Sequence, residues 1–311
     1  MNKIPIIFDC DPGHDDAIAL IFAFAQASLD IKAVTTVAGN AGLDKTLINA
    51  KKILGLLGRR PLLAAGAAKP MFRNLVTAPQ VHGESGLDGP AIPLPDYPEE
   101  KVNAVELMRR LITESPEPVT IIATGPLTNL GILFTAFPEV KKNISTISLM
   151  GGAIGAGNWT SAAEFNIYVD PEAADIVFSS GVPLVMSGLD VTTKALIMKD
   201  EIDVIRSLGG AVPVLTADLL DFYFQFYKKN GYPGAALHDP CAVACLTHPA
   251  LFTGRRYHVV VETKGKHTDG MTLADLRPYS DAKPNAIVNM DIDRKEFIKV
   301  LTEACAAYPK A

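Results

Sequence analysis

The sequence predicts an α/β protein: an open, mostly parallel sheet with helices on both faces, a Rossmann-like core, and a small antiparallel addition towards the C-terminus. Three observations lead there. Short β-branched runs alternate with longer helical stretches along most of the chain. Polar residues gather just beyond the ends of those runs. Finally, 311 residues with 48% hydrophobic and 20% charged side chains can bury a substantial core, which places residues 1–311 in one domain.

Taken in order, residues 4–8 have the length and β-branched content of a buried strand, and Pro12-Gly13 turns the chain into a buried helix with Asp15 and Asp16 in its first turn and an apolar stretch over 17–27. A second strand spans 31–37, followed by a helix capped by Asp44 and running to about 57, and a third strand covers 62–65. Residues 69–99 are loop-like and rich in Gly and Pro, with His82-Gly83-Glu84-Ser85-Gly86-Leu87-Asp88-Gly89 at their centre. A loop of that length in a compact domain points to function. Beyond it come a helix over 101–114, a strand over 119–123, a helix opened by Thr124-Gly125-Pro126 and a strand over 144–150 ending in Gly151-Gly152. Pro171 starts a helix to 180, and residues 182–186 form a further strand. Strands over 257–263 and 286–291 supply the antiparallel edge, before a closing helix from Arg294.

Asp11, Asn40, Thr124, Met150 and Asp190 each stand at or just past the C-terminal end of a predicted strand. Ligands of open parallel sheets bind outside those ends, so these scattered positions converge on one site. The opening stretch carries most of the chemistry. Asp9, Asp11, Asp15 and Asp16 crowd one strand-to-helix turn, with no Lys or Arg between Lys3 and Lys32. Two carboxylates about 4 Å apart repel by roughly 4 kcal/mol at an effective dielectric near 20. Such a group calls for a proton or a cation, and oxygen-only anionic ligands suit calcium or magnesium better than zinc. A single Asp in a first helical turn would read as a cap, but three beside an apolar strand end read as a metal site.

A net charge of −5 and a pI near 5.7 leave no electrostatic footprint for nucleic acid or an anionic membrane. A small, weakly charged substrate follows. The apolar stretch over 17–27 is too short to cross a bilayer, and Asp9 and Asp11 spoil a signal peptide, so a cytoplasmic location is expected. Cys10, Cys241, Cys245 and Cys305 are too few and too irregular for a disulfide framework and read as small buried hydrophobes.

Two later constellations add candidates. From Asn158-Trp159 to Asp170-Pro171 the chain includes Glu164 and Asn166, which fall on one side if the segment is extended and could grip vicinal hydroxyls. The same segment reads equally well as a polar loop that caps the next helix. His238-Asp239-Pro240 precedes an apolar helix over 241–246, where Asp239 reads first as an N-cap with Pro at N1. His238 gains interest from its neighbour, because histidine can donate a proton near neutrality.

Together these motifs resemble the inosine-uridine nucleoside hydrolases. The resemblance rests on Asp9-Cys10-Asp11-Pro12-Gly13-His14-Asp15-Asp16, Asn40, Thr124-Gly125-Pro126-Leu127-Thr128-Asn129, Met150-Gly151-Gly152, Glu164-Phe165-Asn166 and His238-Asp239-Pro240, and it covers nearly the whole chain. The His82 loop is similar to that of the bacterial pyrimidine-preferring members. The resemblance implies Ca²⁺ held by Asp11, Asp16, Asp239 and the main-chain carbonyl of Thr124, with water and ribose hydroxyls completing six to eight oxygen ligands. It implies a ribose pocket of Asp15, Asn40, Met150, Asn158, Glu164, Phe165 and Asn166, with Asp11 taking a proton from the water that attacks C1′ with inversion. Carboxylates around the sugar would stabilise the developing oxocarbenium charge. His82 and His238 are the candidates for assisting the leaving base, although a solvated loop histidine is the commoner reading of His82. The aromatic stripe Phe222, Tyr223, Phe224, Phe226, Tyr227 reads as a core or interface face at least as well as a cover for the base. The resemblance further implies a homotetramer or dimer.

Two other classes compete. Asp-x-Asp after a strand also suits a Mg²⁺-dependent phosphohydrolase, but the added acids stand where a phosphate needs donors and no Walker-type loop is present. A non-catalytic nucleoside or sugar binder would need the pocket but no general base at Asp11.

Overall fold

The computed structural model describes residues 3–309, so the outermost residues of the expected 1–311 domain lie outside it. Eight strands form the central sheet in the spatial order Leu62–Ala65, Leu29–Thr36, Ile4–Cys10, Val119–Ala123, Ile144–Met150, Leu184–Ser187, Ala286–Ile292, Phe252–Tyr257. Every neighbouring pair is parallel except the last. Helices cover both faces, as the alternation of short β-branched runs with helical segments requires. The order reverses at the first strand, which has Leu29–Thr36 on one side and Val119–Ala123 on the other. The carboxylate-bearing turn therefore leaves the sheet at its topological switch point, where a crevice forms.

Several boundaries differ from the sequence expectation, each for a local reason. The first strand continues past Phe8 to Cys10, because the Asp9 carboxylate accepts hydrogen bonds from Thr35 Oγ1 at 2.6 Å and Asn129 Nδ2 at 2.8 Å and so can be buried in the ladder. The following helix, His14–Ala25, takes Asp15 and Asp16 into its first turn as expected, and Asp16 Oδ2 reaches back to accept from the Gly13 N–H at 3.0 Å. Gly42 is the N-cap of Leu43–Leu56, so Asp44 sits in the first turn and is not the cap. Asn103 caps Ala104–Glu114, which shortens the helix expected from 101.

The segment around Glu164 is not extended. Glu164 caps a short helix, Phe165–Val169, by accepting from the Asn166 and Ile167 N–H groups at 3.0 and 3.2 Å. Asp239 is likewise no cap, since the helix His238–Thr247 starts one residue before it. The strand expected over 257–263 breaks at His258. Its first part lies in Phe252–Tyr257 at the sheet edge, whereas Val259–Val261 pairs with Thr272–Ala274 in a separate ribbon. Asn285 causes the break: its side chain accepts from the Val259 N–H and donates to the Val259 carbonyl, both at 2.8 Å, in place of a ladder partner. The loop over 69–99 contains one short helix, Pro79–His82, and is moored by Asn49 Nδ2, which donates to the Pro12 and Ser85 carbonyls, both at 3.0 Å. Cys10, Cys241 and Cys305 are buried and Cys245 is half-buried, all four as free thiols.

Asp170 ties three of these parts together. It caps Pro171–Phe178 through the Ala173 N–H and accepts from Thr128 Oγ1 at 2.7 Å and the Met71 N–H at 2.9 Å. Asp170→Ala removes a cap and strands two donors, so a loss of about 2–3 kcal/mol is expected. A urea denaturation midpoint unchanged by that substitution would contradict this account.

Candidate active site

At the C-terminal edge of the sheet lies a cavity of about 870 Å³. Its floor is the turn after the first strand. Carboxylate oxygens of Asp15, Asp16 and Asp239 come within 4.8 Å of one another, and all three residues are buried. Asp239 reaches this group from the first turn of His238–Thr247, a helix packed against His14–Ala25. Thr124 Oγ1 donates to Asp16 Oδ1 at 2.7 Å, and Asn40 Nδ2 donates to Asp16 Oδ2 at 3.2 Å.

Asp11 stands apart from that triplet, although its charge acts on it. Its Oδ2 accepts from the Asn40 N–H at 2.6 Å, while Oδ1 is buried with no hydrogen-bond partner. Two glycines make room for this side chain. A Cβ on Gly39 would lie 2.2 Å from Asp11 Oδ2, and one on Gly125 would lie 2.6 Å from Oδ1. A buried, unpartnered carboxylate oxygen beside three more carboxylates is a strongly unfavourable arrangement unless something cationic or protic meets it. Among the described residues, no Lys or Arg lines the cavity. The all-oxygen donor set fits a hard divalent cation.

Electrostatics agree with that demand. Burial, reinforced by Asp16, pushes the Asp15 carboxyl up to about 8. Burial and the surrounding carboxylates hold Asp11 and Asp239 well above the usual range, and burial raises Asp16 as well. Glu164 is pushed up to about 7 by burial, against main-chain N–H groups that favour its charge.

The cavity walls bring together the remaining candidates. Asn40, Met150, Asn158, Glu164, Phe165 and Asn166 all line it. Asn166 Nδ2 donates to the Thr124 carbonyl at 2.7 Å and to the Met150 carbonyl at 3.3 Å, leaving the Thr124 oxygen a second lone pair. Glu164 Oε2 accepts from the Gly152 N–H at 2.9 Å, and Asn158 Oδ1 accepts from the Phe165 N–H at 2.9 Å. Asp190, also expected near the site, holds the Ile154 and Gly155 N–H groups at 2.7 and 3.0 Å and so shapes the loop before Asn158.

Both histidines line the cavity. His82 is 5% exposed, which corrects the reading of a solvated loop residue. His238 has neither ring nitrogen free: Nδ1 lies 2.7 Å from Thr192 Oγ1, and Nε2 lies 2.7 Å from the Tyr227 hydroxyl. The chain of contacts continues from Tyr227 to the Tyr223 hydroxyl at 3.1 Å and on to Asp15 Oδ2 at 3.2 Å. Burial pushes His238 down to about 4, so it is neutral near pH 7. Tyr223 and Tyr227, which also read as a core face, are buried and line the cavity. Their i, i+4 spacing in Ala211–Lys229 was a legible sign that both hydroxyls share one side. His14 was missed; its ring stacks on Phe222 and lies 5.5 Å from that of His82 between centroids.

These shifts set a direction for stability in the metal-free protein. Asp15 keeps its proton to about pH 8 when folded, whereas an unfolded Asp loses it near 4, so its contribution is full below pH 4 and declines as pH rises to 8. His14 and His238, held down to about 4, act in the opposite sense below their ordinary 6.5. The carboxylate effect is therefore read cleanly between pH 6.5 and 8. The melting temperature of chelated protein is expected to fall across that window, and the increment on adding a divalent cation that binds there is expected to grow. Thermal scans at both limits check this; an increment that is larger at the lower pH would overturn it.

The comparisons with known proteins agree with this geometry. The family model described as inosine-uridine preferring nucleoside hydrolase matches residues 6–299. The chain is 54% identical over 308 residues to the pyrimidine-specific ribonucleoside hydrolase RihA of Citrobacter koseri, covering 98% of this chain and 99% of that protein. With the RihA of Escherichia coli O1:K1 it shares 52% identity at the same coverage. Among solved structures, a purine-preferring ribonucleoside hydrolase from Gardnerella vaginalis superposes with a TM-score of 0.92 at 30% identity, over 97% of this chain and 98% of that one. The plant nucleoside hydrolase PpNRh1 also reaches 0.92, at 29% identity, over 98% and 100%. The chain belongs to the inosine-uridine preferring nucleoside hydrolases, enzymes that cleave an N-glycosidic bond.

Proposed function

We propose that this enzyme hydrolyses pyrimidine ribonucleosides, uridine and cytidine, to free base and ribose with Ca²⁺ as its cofactor. The observation that carries the reading is a buried cluster of Asp15, Asp16 and Asp239, with the orphaned Asp11 oxygen acting on it, at a cavity that Asp15 and Asp239 line together with His82, His238, Tyr223 and Tyr227. The RihA proteins, at 52–54% identity, are named pyrimidine-specific, which supports the base preference.

Asp11, Asp16, Asp239 and the Thr124 carbonyl would hold the cation, with Asp15 beside them. A bound divalent ion there would neutralise the clustered carboxylates and provide a Lewis-acid anchor for oxygen ligands. Asp11 Oδ1, free of any other partner, takes the proton of the attacking water, while Oδ2 is fixed by Asn40. Asp15, Asn40, Asn158, Glu164 and Asn166 bind ribose hydroxyls, with Phe165 and Met150 as apolar walls. As C1′ gains positive charge, the buried carboxylates stabilise it more than they stabilise the neutral nucleoside. The departing base meets His82 and the Tyr223–Tyr227–His238 chain. His238 lines the cavity with its Nε2 held 2.7 Å from the Tyr227 hydroxyl, so the neutral imidazole and the two phenols offer hydrogen bonds to the departing base.

No cationic side chain in the lining could receive a phosphate, which disfavours the Asp-x-Asp phosphohydrolase reading. Release of base from uridine, cytidine and inosine is the direct test: fastest turnover is expected on the two pyrimidines, and chelation should abolish it. Preference for inosine would remove the pyrimidine assignment. Asp11→Asn is expected to lower kcat by about 10³-fold or more while ribose still binds, and retained turnover would rule out Asp11 as the base.

A further inference from the structure

His82 belongs to a short helix on a long irregular segment, yet its ring is tightly fixed, and His14 is what fixes it. The His14 ring is fully buried and parallel to Phe222 and Tyr223 of the long helix, with centroids at 4.8 and 5.8 Å and planes within 4°. On its other contacts, Nε2 lies 2.9 Å from the Asp88 carbonyl oxygen. A carbonyl only accepts, so His14 Nε2 carries a hydrogen. The main-chain N–H of His14 points at His82 Nδ1 from 3.2 Å, and the His14 ring Nδ1 lies at the same distance from that atom.

Where the main-chain N–H donates to it, His82 Nδ1 is bare and the proton of the neutral ring sits on Nε2; the opposite tautomer would have His82 Nδ1–H donating to the bare His14 Nδ1. Gly13 allows the approach, since a Cβ there would lie 2.7 Å from His82 Nδ1 and 2.8 Å from Cε1. No hydrogen bond engages His82 Nε2 among the described residues, and it is not one of the sealed, unpartnered atoms. That leaves it facing the cavity His82 lines. His14 itself does not line the cavity.

We propose that His14 is a positioning residue for the base-binding end of the site: it clamps His82 against Gly13 and Tyr223 so that Nε2–H is presented to an acceptor atom on the nucleobase. This rests on the hydrolase reading above, in which the base meets His82. The same ring bolts the turn at Asp88 to the long helix, so one side chain sets both the loop position and the donor.

A double-mutant cycle tests it, with kcat/KM for uridine, the inhibition constant of free ribose and Ca²⁺ affinity measured for each protein. His14→Ala is expected to lower kcat/KM by about 10- to 100-fold, yet by less than about 3-fold in a His82→Ala background, with ribose and Ca²⁺ binding unchanged. His14→Phe keeps the stacking and loses the Asp88 contact, and should fall between wild type and His14→Ala; it serves if the alanine variant fails to fold. Imidazole ¹⁵N spectra of the wild type, which need no turnover, should show His82 as a single Nε2–H tautomer. Equal losses in both backgrounds, a harmless His82→Ala, or an Nδ1–H tautomer would each overturn the proposal. Wild-type protein that releases no base from any nucleoside would fail the hydrolase reading itself, while the spectra would still decide the clamp.

Discussion

Crowded negative charge at the switch point of the sheet is the constraint on which the rest depends. Four carboxylates, Asp11, Asp15, Asp16 and Asp239, are held out of water in one place, and Coulomb repulsion in so dry an environment opposes folding unless it is offset. The scaffold offsets part of it with directed donors: the Asn40 and Gly13 N–H groups, the Thr124 hydroxyl and the Tyr223 phenol. What is left over is concentrated on Asp11 Oδ1, which receives none. Residual charge in a site of this kind is what a cation and a positively charged transition state can use.

The donors come from widely separated segments, and the parallel sheet makes their meeting possible. Asn40 and Thr124 follow strands and Met150 ends one, so the ladder registers fix their heights relative to Asp11. Asn129 strengthens the floor from beneath, donating to Asp9 and the Thr36 carbonyl while accepting from the Ala67 N–H. Asp9 therefore serves the frame, even though it stands in the same acidic run as the site residues.

Much of this was legible in the sequence. Strand ends with polar residues located the site, and the acidic turn announced its chemistry, because both depend on short-range pattern. The misreadings were of side chains with long-range partners. Asp239 looks like a cap until a separate helix brings Asp15 and Asp16 beside it. His82 looks solvated until Gly13 and His14 close over it. Tyr223 and Tyr227 have the spacing of a core face, and they are indeed buried, but burial and site membership coincide here. Helical periodicity reports which side of a helix is covered and says nothing of whether protein or ligand covers it. The strand break at His258 was invisible for a similar reason, since Asn285 lies far along the chain from the residues it captures.

The cavity's lack of any Lys or Arg has a consequence for the cell's wider chemistry. Nucleotides carry the same glycosidic bond as nucleosides and are far more costly to synthesise. A phosphoester would bring further negative charge to walls lined by Glu164, Asp15 and Asp239, with no Lys or Arg among the described lining residues to receive it. On the hydrolase mechanism proposed above, the same charge that favours bond cleavage in an uncharged nucleoside would disfavour a nucleotide.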